Sequence, residues 1–323
     1  MKPYRQHFIV PALAILSLGI NCLRAEEGGG GQYLMGAFSS ALDFTPTKPG
    51  FAIATDVLGY SGDFNGGRAL PLGGVARTGL SAEFMAWDIA MAYTFEPKVL
   101  GASYSVGVCV PFLWLEVEAD ASITGPRGRT IARRVSDDAA GLTDMGIVPV
   151  SLTWKSGNWQ FNFQEAIFAP AGDYEPGRLA NLGRNIWSFD SVFGVSYLDP
   201  KKGLELTLMS GFLFSTENED TDYQNGNIIH TEATVAQYLP LGKSTILSLG
   251  VNGFYYQQVS GDSGAGASLG DLKGRAAGVG PIVNLIQTIG DKTLAIQAKW
   301  LPELDTKNRL EGDWVWLTIG MTF

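Results

Sequence analysis

A chain of 323 residues with 17% charged residues and a formal net charge of −9 offers nucleic acid no basic surface. It is long enough for one large β domain or two ordinary ones. Its two cysteines, Cys22 and Cys109, lie far apart, and only Cys109 follows the apolar N-terminal leader. An intramolecular disulfide, a structural zinc site and a C-x-x-C redox pair are therefore all excluded from the remainder.

The first 25 residues stand apart. Lys2 and Arg5 precede an apolar run from Phe8 to Ile20, and Leu23-Arg24-Ala25 suits cleavage. Residues 1–25 read as a secretory signal peptide. The run is short and contains Pro11, which argues against a membrane anchor. Gly19-Ile20-Asn21 lacks the small residue expected before a lipidated Cys22. Residues 26–49 are Gly-rich, then Pro-rich, and read either as a periplasmic lead-in partly tucked into the next domain or as a disordered tail.

From Phe51 onward, segments of roughly ten residues alternate apolar and polar positions. The expected strands are Phe51–Gly59, Glu83–Phe95, Ser103–Val117, Gly146–Trp154, Trp159–Ala169, Ile186–Leu198, Leu204–Ser215, Ile228–Leu239, Thr245–Gln258, Ala276–Thr288, Thr293–Leu301 and Asp313–Phe323. Their links alternate between short turns, such as Lys155-Ser-Gly-Asn158, and long loops, such as Glu118–Met145. No segment after the leader has the length and apolarity of a membrane helix. The pattern predicts an all-β fold: a single antiparallel transmembrane β-barrel of about twelve strands over 50–323, fourteen being the alternative count. The barrel would have short periplasmic turns and long extracellular loops and lie in a bacterial outer membrane. A soluble β-sandwich or a large lipocalin-like barrel is the competing fold.

Taking the apolar register as lipid-facing, Tyr93, Phe95, Tyr104, Trp154, Trp159, Tyr197 and Phe323 fall near the short-turn end. Trp187, Phe189, Phe212, Phe214 and Tyr255 fall near the loop end. Two aromatic belts are what a membrane interface selects, and a soluble sandwich has no reason for them. Glu165 is discordant, sitting in the lipid-facing register, where a bulge or a headgroup position would accommodate it. The last strand alternates to an aromatic end at Phe323, which resembles an outer-membrane assembly signal read by the insertion machinery.

Several segments carry a family resemblance: Tyr60-Ser-Gly-Asp63, Leu142-Thr-Asp-Met-Gly146, Ala169-Pro-Ala-Gly-Asp-Tyr174, Leu182-Gly-Arg-Asn-Ile-Trp-Ser188, Tyr223-Gln-Asn-Gly226 and Val279-Gly-Pro281. In order and spacing they resemble the family labelled MetA-pathway of phenol degradation, a group of outer-membrane channels. That family is itself distantly similar to long-chain fatty-acid and aromatic-hydrocarbon uptake channels. The resemblance implies passive uptake of small, hydrophobic or aromatic compounds and implies transport more firmly than phenol. It carries over no catalytic residues and no cofactor.

The inward register is polar at Asp56, Asp88, Gln160, Asn162, Gln164, Ser188, Asp190, Glu205, Glu232, Thr234, Asn252, Asn284, Gln297 and Lys299. Such a set either hydrates a narrow, gated path or forms a hydrogen-bonded plug. A second inward set, Phe84, Phe168, Phe254, Tyr256, Trp314 and Trp316, lies toward the loops. These rings form either an apolar vestibule for a hydrophobic solute or a structural core under folded-in loops. His230, near Glu232, is expected to hydrogen-bond in the lumen, is counted with the inward rings as a candidate solute-binding residue, and has a side chain able to sense pH. A hydrolase using His230 as base to Ser248 is the alternative function, and a structural or adhesive barrel another. No G-x-S-x-G elbow supports catalysis.

The acidic runs Glu217–Asp222, Asp262 and Asp271 match no EF-hand and read as solvated loops, so no metal is expected. Arg127, Arg129, Arg133 and Arg134 form either a contact for lipopolysaccharide phosphates or an exposed basic loop.

Overall fold

The computed structural model describes residues 32–64, 69–72, 74–124, 130–270 and 272–323. The signal peptide expected over 1–25, the glycine run 26–31, Arg127, Arg129 and Asp271 lie outside the described residues.

Alternation makes strands here because each strand has two solvents: lipid outside and the lumen inside. In chain order the elements are β1 (Gly50–Asp63), β2 (Leu70–Leu72), β3 (Val75–Val99), β4 (Ala102–Thr124), β5 (Thr130–Leu142), β6 (Met145–Ser156) and β7 (Trp159–Ala169). There follow β8 (Ser188–Asp199), β9 (Leu204–Ser215), β10 (Ile228–Pro240), β11 (Thr245–Gln258), β12 (Arg275–Ile289), β13 (Lys292–Lys307) and β14 (Glu311–Thr322). Every pairing is antiparallel. The first strand joins β14 from Ala52↔Thr322 to Asp63↔Glu311 and joins β3 from Gly50↔Thr94 to Asp63↔Ser81. With β3 also paired to β4 and β4 to β6, the sheet closes into a twelve-stranded barrel. Closure removes the unpaired edges that lipid does not tolerate.

Two strands stand outside the closed circle. Short β2 pairs only with β3. Strand β5 pairs with the upper part of β4, from Phe112↔Leu142 to Thr124↔Thr130, directly above the stretch where β4 meets β6. Much of the expected long loop Glu118–Met145 is therefore a β-hairpin, and β3 and β13 also run beyond their expected ends. Above the membrane the buried face of β4 stays apolar, at Leu115, Val117 and Ala119, but the outward positions carry charge, as at Glu116, Glu118, Asp120 and, on β5, Arg134. These charges pair across strands: Arg134 Nε donates to Glu118 Oε2 at 2.5 Å.

The outward face is apolar and exposed, as at Val57, Trp87, Phe193, Leu208, Val251, Trp300 and Leu317. Both belts form on it. Phe95 and Tyr104 stack with centroids 5.3 Å apart at the turn end, and Phe189 and Phe214 at 4.9 Å at the loop end. Glu165 faces outward, half-buried, where β6 breaks register between Ile147 and Val150. Ser191 Oγ donates to it at 2.5 Å.

The core is the lumen itself. Residues 32–45 run inside the barrel, buried throughout, with one 3-10 turn at Ala41–Asp43 capped by Ser40. The described part of the expected periplasmic lead-in is thus an internal plug. Its small and hydroxylated residues suit a passage this narrow, and its backbone takes the hydrogen bonds that the inward polar side chains offer.

Candidate functional site

The plug enters at the short-turn end and rises toward the loops. At the turn end Thr94 and Ser103 donate to the carbonyls of Pro46 and Thr47 at 3.3 and 3.0 Å. Thr45 then meets the hydroxyls of Ser151 and Thr153 at 2.9 and 2.8 Å. Also near the turn end, Glu205 Oε1 accepts from the Ala41 N–H at 2.7 Å, and its second oxygen accepts from Tyr238 at 2.6 Å.

Higher up the contacts become ionic. A single oxygen, Glu232 Oε1, accepts from the Tyr33 hydroxyl at 2.5 Å and from the Gly36 and Phe38 N–H groups at 3.0 Å each. Lys299 Nζ donates to the Gly36 carbonyl and, at 3.0 Å, to Ser39 Oγ, while lying 4.9 Å over the Trp316 ring. Trp316 Nε1 donates to the Met35 carbonyl at 3.0 Å. Gly36 has φ +94, and a Cβ there would come within 2.6 Å of Leu301 Cδ1 and 2.9 Å of Trp316 Nε1, so no other residue fits the turn. Burial first, and the Glu232 carboxylate second, push the Tyr33 phenol well above its ordinary pKa, which keeps it a donor.

His230 Nε2 sits 2.9 Å from Asp190 Oδ1, and its ring stacks under Tyr33 with centroids 3.8 Å apart. Gly211 makes room for this pair, because a Cβ would lie 2.1 Å from His230 Nε2. The histidine hydrogen-bonds in the lumen, as expected. Ser248 is not its partner: it lies opposite Tyr238, eight positions along β10 from His230. At ~3.3 Å per residue that is about 26 Å, far beyond proton-transfer reach.

The inward polar register is buried as expected, apart from half-buried Gln160. Asp88 differs from Asp190, Glu205, Glu232 and Lys299: neither of its oxygens has a hydrogen-bond partner, and it faces Asp56 across the β1–β3 ladder. Of the six expected inward rings, Phe254, Tyr256, Trp314 and Trp316 are buried in one apolar cluster, with Phe84 packed against it. Phe168 lies in a separate cluster of small residues including Ala52, Ala90, Cys109 and Ala166.

Sequence reasoning missed Tyr60, whose ring lies 4.4 Å from Trp314 and 5.4 Å from Phe84. It continues the inward alternation of Ala54, Asp56 and Leu58, which was the available signal. It also missed the buried Glu303, which accepts from Trp314 Nε1 at 3.2 Å, from Tyr60 at 3.3 Å and from the Gly312 N–H at 2.8 Å. The plug residues Tyr33, Leu34, Met35 and Phe38 complete this cluster. A separate groove of about 640 Å³, lined by Leu152, Trp154, Phe163 and Phe193 among others, is set into the lipid-facing wall.

A closed barrel with an apolar outer band and an internal N-terminal plug is now in place. The family described as "Putative MetA-pathway of phenol degradation" matches residues 61–319. The chain belongs to that family. The match begins at residue 61, so the plug lies outside the matched span. No curated protein matches the chain. Among solved structures, an outer-membrane channel from Pseudomonas putida F1 shares the fold with a TM-score of 0.59 at 14% identity, over 87% of this chain and 98% of that one. More distant are the β domain of the Bordetella autotransporter BrkA, with a TM-score of 0.48 at 9% identity over 85% of this chain and 99% of that one, and a Pseudomonas aeruginosa FadL homologue, with 0.40 at 11% over 88% and 92%. This member of the phenol-degradation MetA family is thus an outer-membrane β-barrel.

Proposed function

We propose that this barrel is a passive outer-membrane channel for small hydrophobic or aromatic solutes. One observation carries the reading: the loop-side half of the lumen holds an apolar cluster of rings from several strands, packed against the plug segment. Phe84, Phe254, Tyr256, Trp314 and Trp316 supply the rings, and Tyr33–Phe38 the plug side. Family membership and the fold shared with the Pseudomonas putida outer-membrane channel support it. In the plugged state the rings are covered, so entry requires the plug segment to shift. A solute ring would then replace plug side chains on the same surfaces, gaining roughly 25 cal/mol per Å² of apolar area removed from water.

The test is the double change Trp314→Ala with Trp316→Ala in proteoliposomes. Uptake of an aromatic solute at low concentration should fall about tenfold, since ~1.4 kcal/mol suffices for that factor. Small-ion permeation should rise, because bulk is lost and the Met35 carbonyl loses its donor. Trp316→Phe, which keeps a ring but loses the Nε1 bond, should raise ion permeation and retain most aromatic uptake. Unchanged aromatic uptake in correctly folded double variant would make the rings structural packing.

A further inference from the structure

Among the described residues, the two deeply buried arginines differ. Arg309, 4% exposed, lies 3.7 Å from Glu303 Oε1 and 4.7 Å over the Tyr256 ring. Arg184, 7% exposed, makes no ion pair among the described residues, and both Nη1 and Nη2 lack a hydrogen-bond partner. Exposed Arg134 and half-buried Arg178 and Arg275 each have a carboxylate within ion-pair distance. Burying a guanidinium with its terminal nitrogens unpaired costs several kcal/mol, so a fold that positions one this firmly implies an external partner.

The positioning is firm. Arg184 belongs to the 170–187 link, at the loop end of β7 and β8. Its N–H donates to Asp144 Oδ2 at 3.1 Å, and the other Asp144 oxygen holds the Gly172 N–H at 3.1 Å. Its carbonyl accepts from Asn218 Nδ2 at 3.3 Å, which ties the link to the neighbouring 216–227 loop. Gly183 packs directly on the Gly172 backbone, where a Cβ would lie 2.2 Å from its carbonyl oxygen. In the adjoining loop Asn225, 5% exposed, has an unpartnered Oδ1, and Gln32 at the top of the plug, 1% exposed, has an unpartnered Nε2. Unsatisfied polar atoms thus recur among buried residues at the loop end.

We infer that Arg184 is the recognition residue for a carboxylate carried by an apolar solute. This deepens the channel reading above and rests on it. A guanidinium offers two parallel N–H donors in a rigid fork that matches the two oxygens of one carboxylate. The apolar cluster of rings suits the solute's body. The acidic residues Glu217, Glu219, Asp220 and Asp222 of the adjoining loop disfavour more highly charged anions.

Proteoliposome uptake of benzoate and of benzyl alcohol, a neutral ring of similar size, tests the assignment through the ratio of their rates. The wild type should favour benzoate, and Arg184→Gln should lower that ratio at least tenfold. Arg184→Lys, which keeps the charge without the fork, should give an intermediate ratio and serves if the Gln variant fails to show the heat-modifiable mobility of a folded barrel. An equal ratio in wild type and folded variants overturns the role of Arg184, as does a wild type that does not favour benzoate. In either case uptake of benzyl alcohol leaves the channel reading standing. Uptake of neither solute overturns both.

Discussion

Toward the loops the plug meets Glu232, Lys299 and Trp316; toward the turns it meets Thr94, Ser103, Ser151 and Thr153. Of the loop-side contacts, those of Glu232, one oxygen of which takes three donors, and of Lys299 are charge-assisted, and that of Trp316 is neutral. The turn-side contacts are neutral hydroxyl bonds apart from the Glu205 carboxylate on the Ala41 N–H, and the lumen wall there is built from small residues such as Ala52, Ala54, Ala90 and Ala92. Hydrogen bonds to charged groups contribute ~1.5–3 kcal/mol each, neutral ones ~0.5–1.5. The plug is therefore held more strongly from the loop side than from the turn side.

The largest expected effect comes from removing the plug altogether. A variant lacking residues 32–45 should still form a barrel, because its ladder pairs do not involve them. Its small-ion conductance in planar bilayers should exceed that of the wild type at least tenfold. Equal conductance would mean that another part of the chain closes the lumen.

Next in size is Glu232→Ala. It leaves the Tyr33 hydroxyl and the Gly36 and Phe38 N–H groups buried without their acceptor, at ~1–3 kcal/mol per group while the plug stays seated. The plugged population should fall at least tenfold, read as more frequent open events in single-channel recordings. Recordings identical to wild type would remove the stronger hold from the loop side.

Thr45→Ala should do least. It removes hydroxyl bonds to Ser151 and Thr153 that also satisfy one another through Asn162, whose Nδ2 lies 3.2 and 3.0 Å from those oxygens. At ~0.5–1.5 kcal/mol the open frequency should change several-fold at most. An effect as large as that of Glu232→Ala would erase the contrast between the two halves.

Legibility in the sequence followed the same division. Where a residue lies on a membrane-spanning strand, its side of the wall was readable, because lipid and lumen demand opposite chemistry at successive positions. Asp190, Glu205, Glu232 and Lys299 were assigned inward on that basis and are buried there. Trp159–Ala169, Leu204–Ser215 and Thr245–Gln258 even have the expected bounds. Above the membrane the demand lapses, and Val75–Ala82 and Thr130–Leu142 looked like loop although they are strand. Glu303 and Arg309 escaped notice for the same reason. Arg184 was visible inside a motif, but nothing about the motif marks its guanidinium as buried and unpaired.

From the sequence by itself came the barrel, its strand count and the inward and outward face of each strand, because period-two alternation is a local consequence of backbone pleating between two solvents. Only the tertiary structure decided what fills the lumen. The Lys299–Gly36 bond spans 263 positions, and the Tyr33–Glu232 bond 199. A plug has no period of its own. Its Gly, Ser, Thr and Pro residues read as a tail until a closed wall brings Glu232 and Lys299 around them.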